Sequence, residues 1–506
     1  MANKVKSIKI SLLSLILSIF TVVAYHMPFF TYSCGAVEKG FNGIIIVASL
    51  ALLLLAADFF LYYLLLFLGR IVGKCIIVFT LISNAGSLYF INSYNVLITD
   101  EMMGNVFNTQ FSEASGFFSA GAVLYILLLG VIPSVLLFLP KVEYGSVKRF
   151  FANIGISLAV VLGVALANMQ NWPWIDRNST EIGSLLLPWS YSVNSVRYYN
   201  AEKKRNAKEI PLPDAIITND AEDVCILIIG ESARRDHFSL YGYERTTNPL
   251  LEKDSIRAFI ATSADTYTTA GVKAILDHKP TNELYEILPN YLYRSGVDVV
   301  WRTSNWGEPP VHIDDYMKVE DIAREYPEAD ERFDGILLEG LHERIAASQS
   351  RKMLIILHTN TSHGPVYYKR YPKEFEKFTP VCTTVEMSKA VKEELINAYD
   401  NSILYTDYLV HSAIEILNGF PEKRGTVIYV SDHGESLGEN NLYMHGVPMY
   451  MAPAEQIEIP FIVWHSEGVD KIKEIDKVGQ YHVFHSILYF MGIESPVYDE
   501  SLNIYR

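Results

Sequence analysis

Cysteine is scarce in this chain, four in 506 residues with no CxxC pair, which excludes a disulfide scaffold, thiol redox chemistry and a cysteine zinc site. Charge is scarce too. Only 20% of residues are charged against 50% apolar, a balance that disordered chains do not show. There is no block of basic residues, and the net charge of −15 repels a polyanion, so no nucleic-acid partner is expected. The length exceeds what one core organises, so two or more domains are expected.

The apolar excess is concentrated before residue 171, in five stretches at 8–27, 43–68, 71–92, 117–139 and 150–169. Each reaches or approaches the roughly 20 residues that a helix needs to cross a bilayer. The first has a Lys-rich lead but no small-residue cleavage site, so it reads as a retained span. Lys4, Lys6 and Lys9 precede span one, Arg70 and Lys74 lie between spans two and three, and Lys141, Lys148 and Arg149 lie between four and five. The other two loops hold only Lys39, so the positive-inside rule places the N-terminus in the cytoplasm and everything after the fifth span outside. Asp58 within span two is unusual in a membrane and is expected to face the bundle interior. Trp172, Trp174 and Trp189, with Pro173 and Pro188, read as an interfacial anchor. The expected division is a five-helix membrane domain (1–170), a linker (171–212) and a soluble domain (213–506).

The soluble part reads as α/β. Short β-rich runs at 224–229, 257–262, 297–302, 353–358, 426–431 and 461–465 alternate with helical patterns at 282–296, 333–348 and about 385–419. Such alternation predicts a mainly parallel sheet covered by helices on both faces, with chemistry beyond the carboxyl ends of the strands. Glu231 follows VCILII, the pair Asp432 and His433 follows TVIYVS, and His363 follows MLIILH, whose own last residue is His358. Oxygen and imidazole donors together suit Zn²⁺, or less selectively Mn²⁺, better than Ca²⁺. Either acid alone could equally cap the following helix. A hydroxyl-rich turn, SADTYTTAGVKAIL (263–276), supplies a nucleophile at a helix start, and spacing leaves Thr266, Thr268 and Thr269 open.

GES followed by SLYGYERTTNP, then SHGPVYYKRYP, NAYDNSILYTDY and SDHGESLGENNLYMHG, resembles in order the phosphoethanolamine transferases of Gram-negative envelopes. These belong to the sulfatase-like branch of the alkaline phosphatase superfamily, and the resemblance spans nearly the whole chain. It implies an alkaline phosphatase/sulfatase-like fold for the soluble domain. It also implies Thr268 as nucleophile, four residues before Val272, with Glu231, Thr268, Asp432 and His433 around one tightly bound zinc. His363 and His445 match histidines that line the phosphate site or hold a second zinc, and Asn105, Thr109 and Glu113 match residues that contact the lipid donor's headgroup. Read without the family, those last three are polar residues on a solvated loop helix. Where many members place a disulfide beside the nucleophile, this chain has Ala264 and Ala274, leaving Cys225 and Cys382 reduced.

The implied activity is transfer of phosphoethanolamine from phosphatidylethanolamine to lipid A phosphate or a glycan through a covalent threonine intermediate. The implied setting is a bacterial inner membrane with a periplasmic catalytic domain, working among membrane lipids. A phosphoglycerol transferase and a lipid-sensing pseudoenzyme are the competing readings. A formylglycine sulfatase is not, because no cysteine here lies in a CxPxR context.

Overall fold

The computed structural model describes residues 7–109, 117–205, 208–385, 387–469 and 471–506. They divide into two compact units, Met1–Tyr199 and Asn200–Arg506.

In the first unit, Phe41–Gly69, Ile71–Tyr94, Ala120–Phe138 and Val147–Ala167 are long and apolar enough to cross a membrane. The first apolar stretch forms the helix Ile10–Tyr25, which meets a further helix, Met27–Ala36, at a bend of 65°. The break has a sequence cause: Pro28 opens the second piece, where its missing N–H costs nothing, but could not continue the first. A second proline acts differently. Ahead of Pro133 the Ala120–Phe138 span widens into a π turn over Ile126–Val131, a common local response when the regular hydrogen-bond ladder is interrupted.

Asp58 is fully buried, as a carboxylate facing a bundle interior must be. Its Oδ1 accepts a 3.0 Å hydrogen bond from Trp189 Nε1. The indole N–H that the sequence assigned to the interface is therefore turned to an acid of span two. Trp174 Nε1 donates instead to the Ala36 carbonyl at 3.2 Å. The side chains of Trp172 and Pro173 lie outside the described residues.

The second unit is organised by an eight-stranded sheet. In chain order its strands are β1 (Asp223–Gly230), β2 (Ile256–Thr262), β3 (Asp298–Thr303), β4 (Asp315–Lys318), β5 (Lys352–His358), β6 (Arg424–Ser431), β7 (Glu458–His465) and β8 (Lys477–Gly479). They lie side by side as β8-β2-β7-β6-β1-β5-β3-β4. Every neighbouring pair is parallel except those of β7, which runs against both β6 and β2. The expected parallel sheet is thus present with one reversed strand. A fully buried strand carries the same continuous apolar run in either direction, so its direction is not written in its pattern.

Both faces are covered. Cys225, Leu227 and Ile229 of β1 pack in one core with helices Thr268–Leu276, Leu288–Arg294 and His482–Phe490. The 27-residue helix Lys392–Asn418 packs on β6 and β1 and shares no residue with that core. The register aligns Gly230 with Ser431 and Ile229 with His358, so the residues that follow β1, β5 and β6 emerge side by side.

Candidate metal and phosphoryl-transfer site

Glu231, Asp432 and His433 leave adjacent strand ends and meet within one buried cluster. Their backbones are tied at the start: Asp432 N donates to Gly230 O at 2.9 Å, and Ser232 N donates to Asp432 Oδ1 at 3.0 Å. His433 Nδ1 lies 2.8 Å from the Gly434 carbonyl, which can only accept, so Nδ1 carries the proton and Nε2 presents a lone pair. That Nε2 lies 3.4 Å from Glu231 Oε1 and 3.3 Å from Asp432 Oδ2. A carbonyl fixing one ring nitrogen so that the other can ligate is the usual support of a metal-bound histidine.

Thr268 opens the helix Thr268–Leu276 and is buried. Its Oγ1 lies 3.4 Å from Glu231 Oε2 and 3.4 Å from His433 Nε2. The two other hydroxyls are placed differently. Thr266 Oγ1 donates to the Val447 carbonyl at 2.7 Å, and Thr269 is half-buried with its methyl toward Gly307. The Thr268 helix reaches the cluster because residue 271 is glycine: a Cβ there would stand 2.2 Å from the Asp432 carbonyl oxygen.

The electrostatics describe a cavity short of positive charge. Burial pushes the Asp432 carboxyl well above its usual range, and the Glu231 charge adds to the push. Burial also opposes ionisation of Glu231, but the imidazoles of His433, His363 and His445, charged in the acid range where that carboxyl titrates, and the Asn305 amide outweigh it and hold the carboxyl low. Burial, with His445 beside it, lowers His433 to about 4, so its imidazole is neutral near pH 7. Asp432 Oδ2 is buried without a hydrogen-bond partner. Glu231, His433 and His445 each offer a ligand atom within 4.8 Å of the others. Two carboxylates, neutral imidazole and a hydroxyl around an unpaired buried oxygen fit a divalent cation of the zinc type.

His445 packs against His433 with ring centroids 4.2 Å apart and planes tilted by 44°, and the His363 ring lies 5.6 Å from that of His445. Arg370 Nε donates to the His363 carbonyl at 3.2 Å. His358 does not join this group: it stays within the sheet, its Nδ1 3.5 Å from Glu308. Asn105 and Thr109 belong to the first unit. Asn105 lies in the helix Asp100–Asn108, and Thr109 caps its end by donating its hydroxyl to the Asn105 carbonyl at 2.6 Å. Glu113 lies outside the described residues.

Two residues of the cluster were not singled out in the sequence. Asn305, on the turn after β3, donates its amide to Glu231 Oε2 at 2.7 Å and to the Thr359 carbonyl at 2.9 Å. Glu435 accepts from Tyr367 Oη, and its Oε2 lies 2.8 Å from His445 Nδ1. Burial raises the Glu435 carboxyl to about 7. Glu435 lies inside the SDHGES run, where an acid beyond the metal pair was the available signal; Asn305 had none.

A mainly parallel α/β sheet whose strand ends gather two carboxylates, a neutral histidine and a helix-opening threonine, a donor set able to hold a metal ion, is the arrangement of a transferase or hydrolase of the sulfatase type. Residues 223–493 match the sulfatase family, and residues 45–203 match the family described as phosphoethanolamine transferase EptA/EptB. Phosphoethanolamine transferase EptA of Helicobacter pylori is 37% identical over 97% of this chain and 96% of its own length. Phosphatidylethanolamine transferase Mcr-1 of Escherichia coli is 33% identical over 78% of this chain and 79% of its own. The solved integral membrane lipooligosaccharide phosphoethanolamine transferase A of Neisseria meningitidis superposes with a TM-score of 0.89 at 27% identity, covering 99% and 98% of the two chains. The chain belongs to the phosphoethanolamine transferases, enzymes that join a membrane domain to a sulfatase-like one.

Proposed function

We propose that this enzyme takes phosphoethanolamine from phosphatidylethanolamine and passes it, by way of Thr268, to a lipid A phosphate or an envelope glycan. The observation that carries the reading is the position of Thr268 Oγ1, at a helix N-terminus and 3.4 Å from both Glu231 and His433. The names of the Escherichia coli and Neisseria meningitidis relatives support donor and acceptor respectively.

Glu231, Asp432, His433 and Thr268 would hold a zinc ion, and His363 and His445 offer imidazole donors for a second. Bound zinc would draw charge from the threonine oxygen and from the transferring phosphoryl group. Thr268 gives up its hydroxyl proton, Oγ1 bonds to phosphorus, the phosphorus–oxygen bond to glycerol breaks, and diacylglycerol leaves after taking a proton. The acceptor oxygen then attacks the same phosphorus, the bond to Oγ1 breaks, and the threonine hydroxyl regains its proton. His363 and His445 face the phosphoryl group, where they stabilise its oxygens or protonate the leaving one. The N-terminal amides of the Thr268 helix favour the same anion.

The lysines and arginines of the membrane half support a cytoplasmic N-terminus in a bacterial inner membrane, with the catalytic unit in the periplasm. Asn105, Thr109 and Glu113 would contact the donor headgroup. The boundaries near 170 and 212 would separate spans, linker and catalytic domain.

Incubating the full-length protein separately with fluorescent phosphatidylethanolamine and phosphatidylglycerol tests the donor. Diacylglycerol released from the first supports the reading, and release from the second alone makes the enzyme a phosphoglycerol transferase. Mass analysis of the Thr268 peptide should show an added phosphoethanolamine, absent from Thr268→Ala. Full transfer by that variant would remove Thr268 from the mechanism.

A further inference from the structure

We infer that Met449, Tyr450 and Met451 form a lipid-inserting tip on the rim of the catalytic site, which seats the site at a phospholipid surface. The inference rests on the proposed lipid donor and adds the surface through which a bilayer is engaged.

Among the described residues of the second unit, these three are the one run of consecutive exposed large hydrophobic side chains, with Met449 39%, Tyr450 70% and Met451 38% exposed. Elsewhere in that unit the exposed large hydrophobics, such as Ile216, Ile260 and Val391, occur singly, as on any soluble surface. The run is held in a tight turn, with Met451 N donating to the Pro448 carbonyl at 2.8 Å, so the three side chains are presented from a fixed backbone.

The turn is continuous with the site. Gly446 N donates to the Thr266 carbonyl at 2.9 Å, and the Thr266 hydroxyl donates to the Val447 carbonyl at 2.7 Å, which locks the base of the tip to the turn that delivers Thr268. His445 immediately precedes it. Gln456 braces the other side, its amide donating to the Met444 carbonyl at 2.9 Å.

Chemistry selects the occupant. No charge interrupts residues 446–454, and Met with Tyr supplies apolar, adaptable bulk with one polar handle, the composition that settles at the headgroup–acyl boundary. Residues beyond 171 carry a net −18, so attraction to an anionic surface cannot hold the tip in place. A zwitterionic phospholipid surface, met by apolar insertion, is the complementary partner.

Two measurements on the full-length protein in vesicles of phosphatidylcholine and phosphatidylethanolamine test this. Tyr450→Trp should add tryptophan emission that brominated lipid quenches, over and above that of the wild type, and the added quenching should persist at high salt. No added quenching overturns the proposal, whichever lipid is the donor, and leaves a protein or glycan partner as the occupant. Second, the variant M449S/Y450S/M451S should lose about tenfold more kcat/KM on vesicle-borne than on short-chain, monomeric phosphatidylethanolamine. Equal loss on both overturns the proposal, whereas wild-type protein inert on both forms of the donor, with the added quenching of Tyr450→Trp still present, would sink the proposed donor and retain the tip.

Discussion

Glu435 Oε2 and His445 Nδ1 lie 2.8 Å apart in a buried setting, so that a carboxyl two residues beyond His433 fixes the ring of a histidine ten positions further on. The contact points the remaining ring nitrogen of His445 away from Glu435. Glu435→Gln keeps the volume but offers an amide that can also donate to Nδ1, which reverses the tautomer. We expect kcat to fall by about 10–100-fold with a smaller change in KM, and Glu435→Asp to recover part of the loss. Steady-state transfer kinetics on the three proteins check this; a KM effect alone would assign Glu435 to substrate binding.

Asn305 orients Glu231 through the 2.7 Å amide hydrogen bond to Oε2. Truncating it to alanine leaves that oxygen free to rotate and should weaken zinc binding by about 10–100-fold. Competition with a chelator, read as metal retained per chain, gives the result directly. Stripping the metal from the wild type should abolish transfer, and added zinc should restore it.

Gly271 permits the Thr268 helix to touch the turn at Asp432. Gly271→Ala drives a methyl group to 2.2 Å from a backbone oxygen that cannot swing away. Overpacking of this kind costs about 1–3 kcal/mol, and the displaced helix carries Thr268 with it. A lower Tm together with a drop in kcat is the expected outcome, and an unchanged Tm would contradict the close approach.

Asp407, in the long helix of the catalytic unit, caps the 250s turn by accepting from Leu250 N at 2.9 Å and Leu251 N at 3.1 Å. Burial raises its carboxyl from 3.8 to about 7, against the lowering by those two donors. A raised carboxyl binds its proton more tightly when folded, so its contribution is complete below about pH 4 and is lost as pH rises through about 7, by at most about 4 kcal/mol. Asp407→Asn should flatten that part of the Tm-against-pH curve of the full-length protein, and a slope equal to wild type would place the titration elsewhere.

Glu231 and the pair Asp432 and His433 were legible because they follow short β-rich apolar runs that read as buried strands, and such ends converge in a parallel sheet. Thr266, Thr268 and Thr269 could not be ranked by spacing. What separates them is tertiary: a carbonyl of residue 447 occupies the first hydroxyl, and the second faces Glu231. Asn305 was silent because its meaning lies entirely in a contact with residue 231, 74 positions away. Strands β4 and β8, of four and three residues, are too short to carry a period, and the helix Met27–Ala36 lies beyond the first apolar stretch, so the bend before it was not anticipated.

Ala264 and Ala274 leave the surroundings of Thr268 without a covalent staple, and all four cysteines are free, Cys225 sealed in the sheet core. Rigidity there comes from glycine-enabled contact and buried hydrogen bonds instead. Folding around Thr268 thereby calls for no thiol oxidation, and a reducing surrounding leaves no bond there to break.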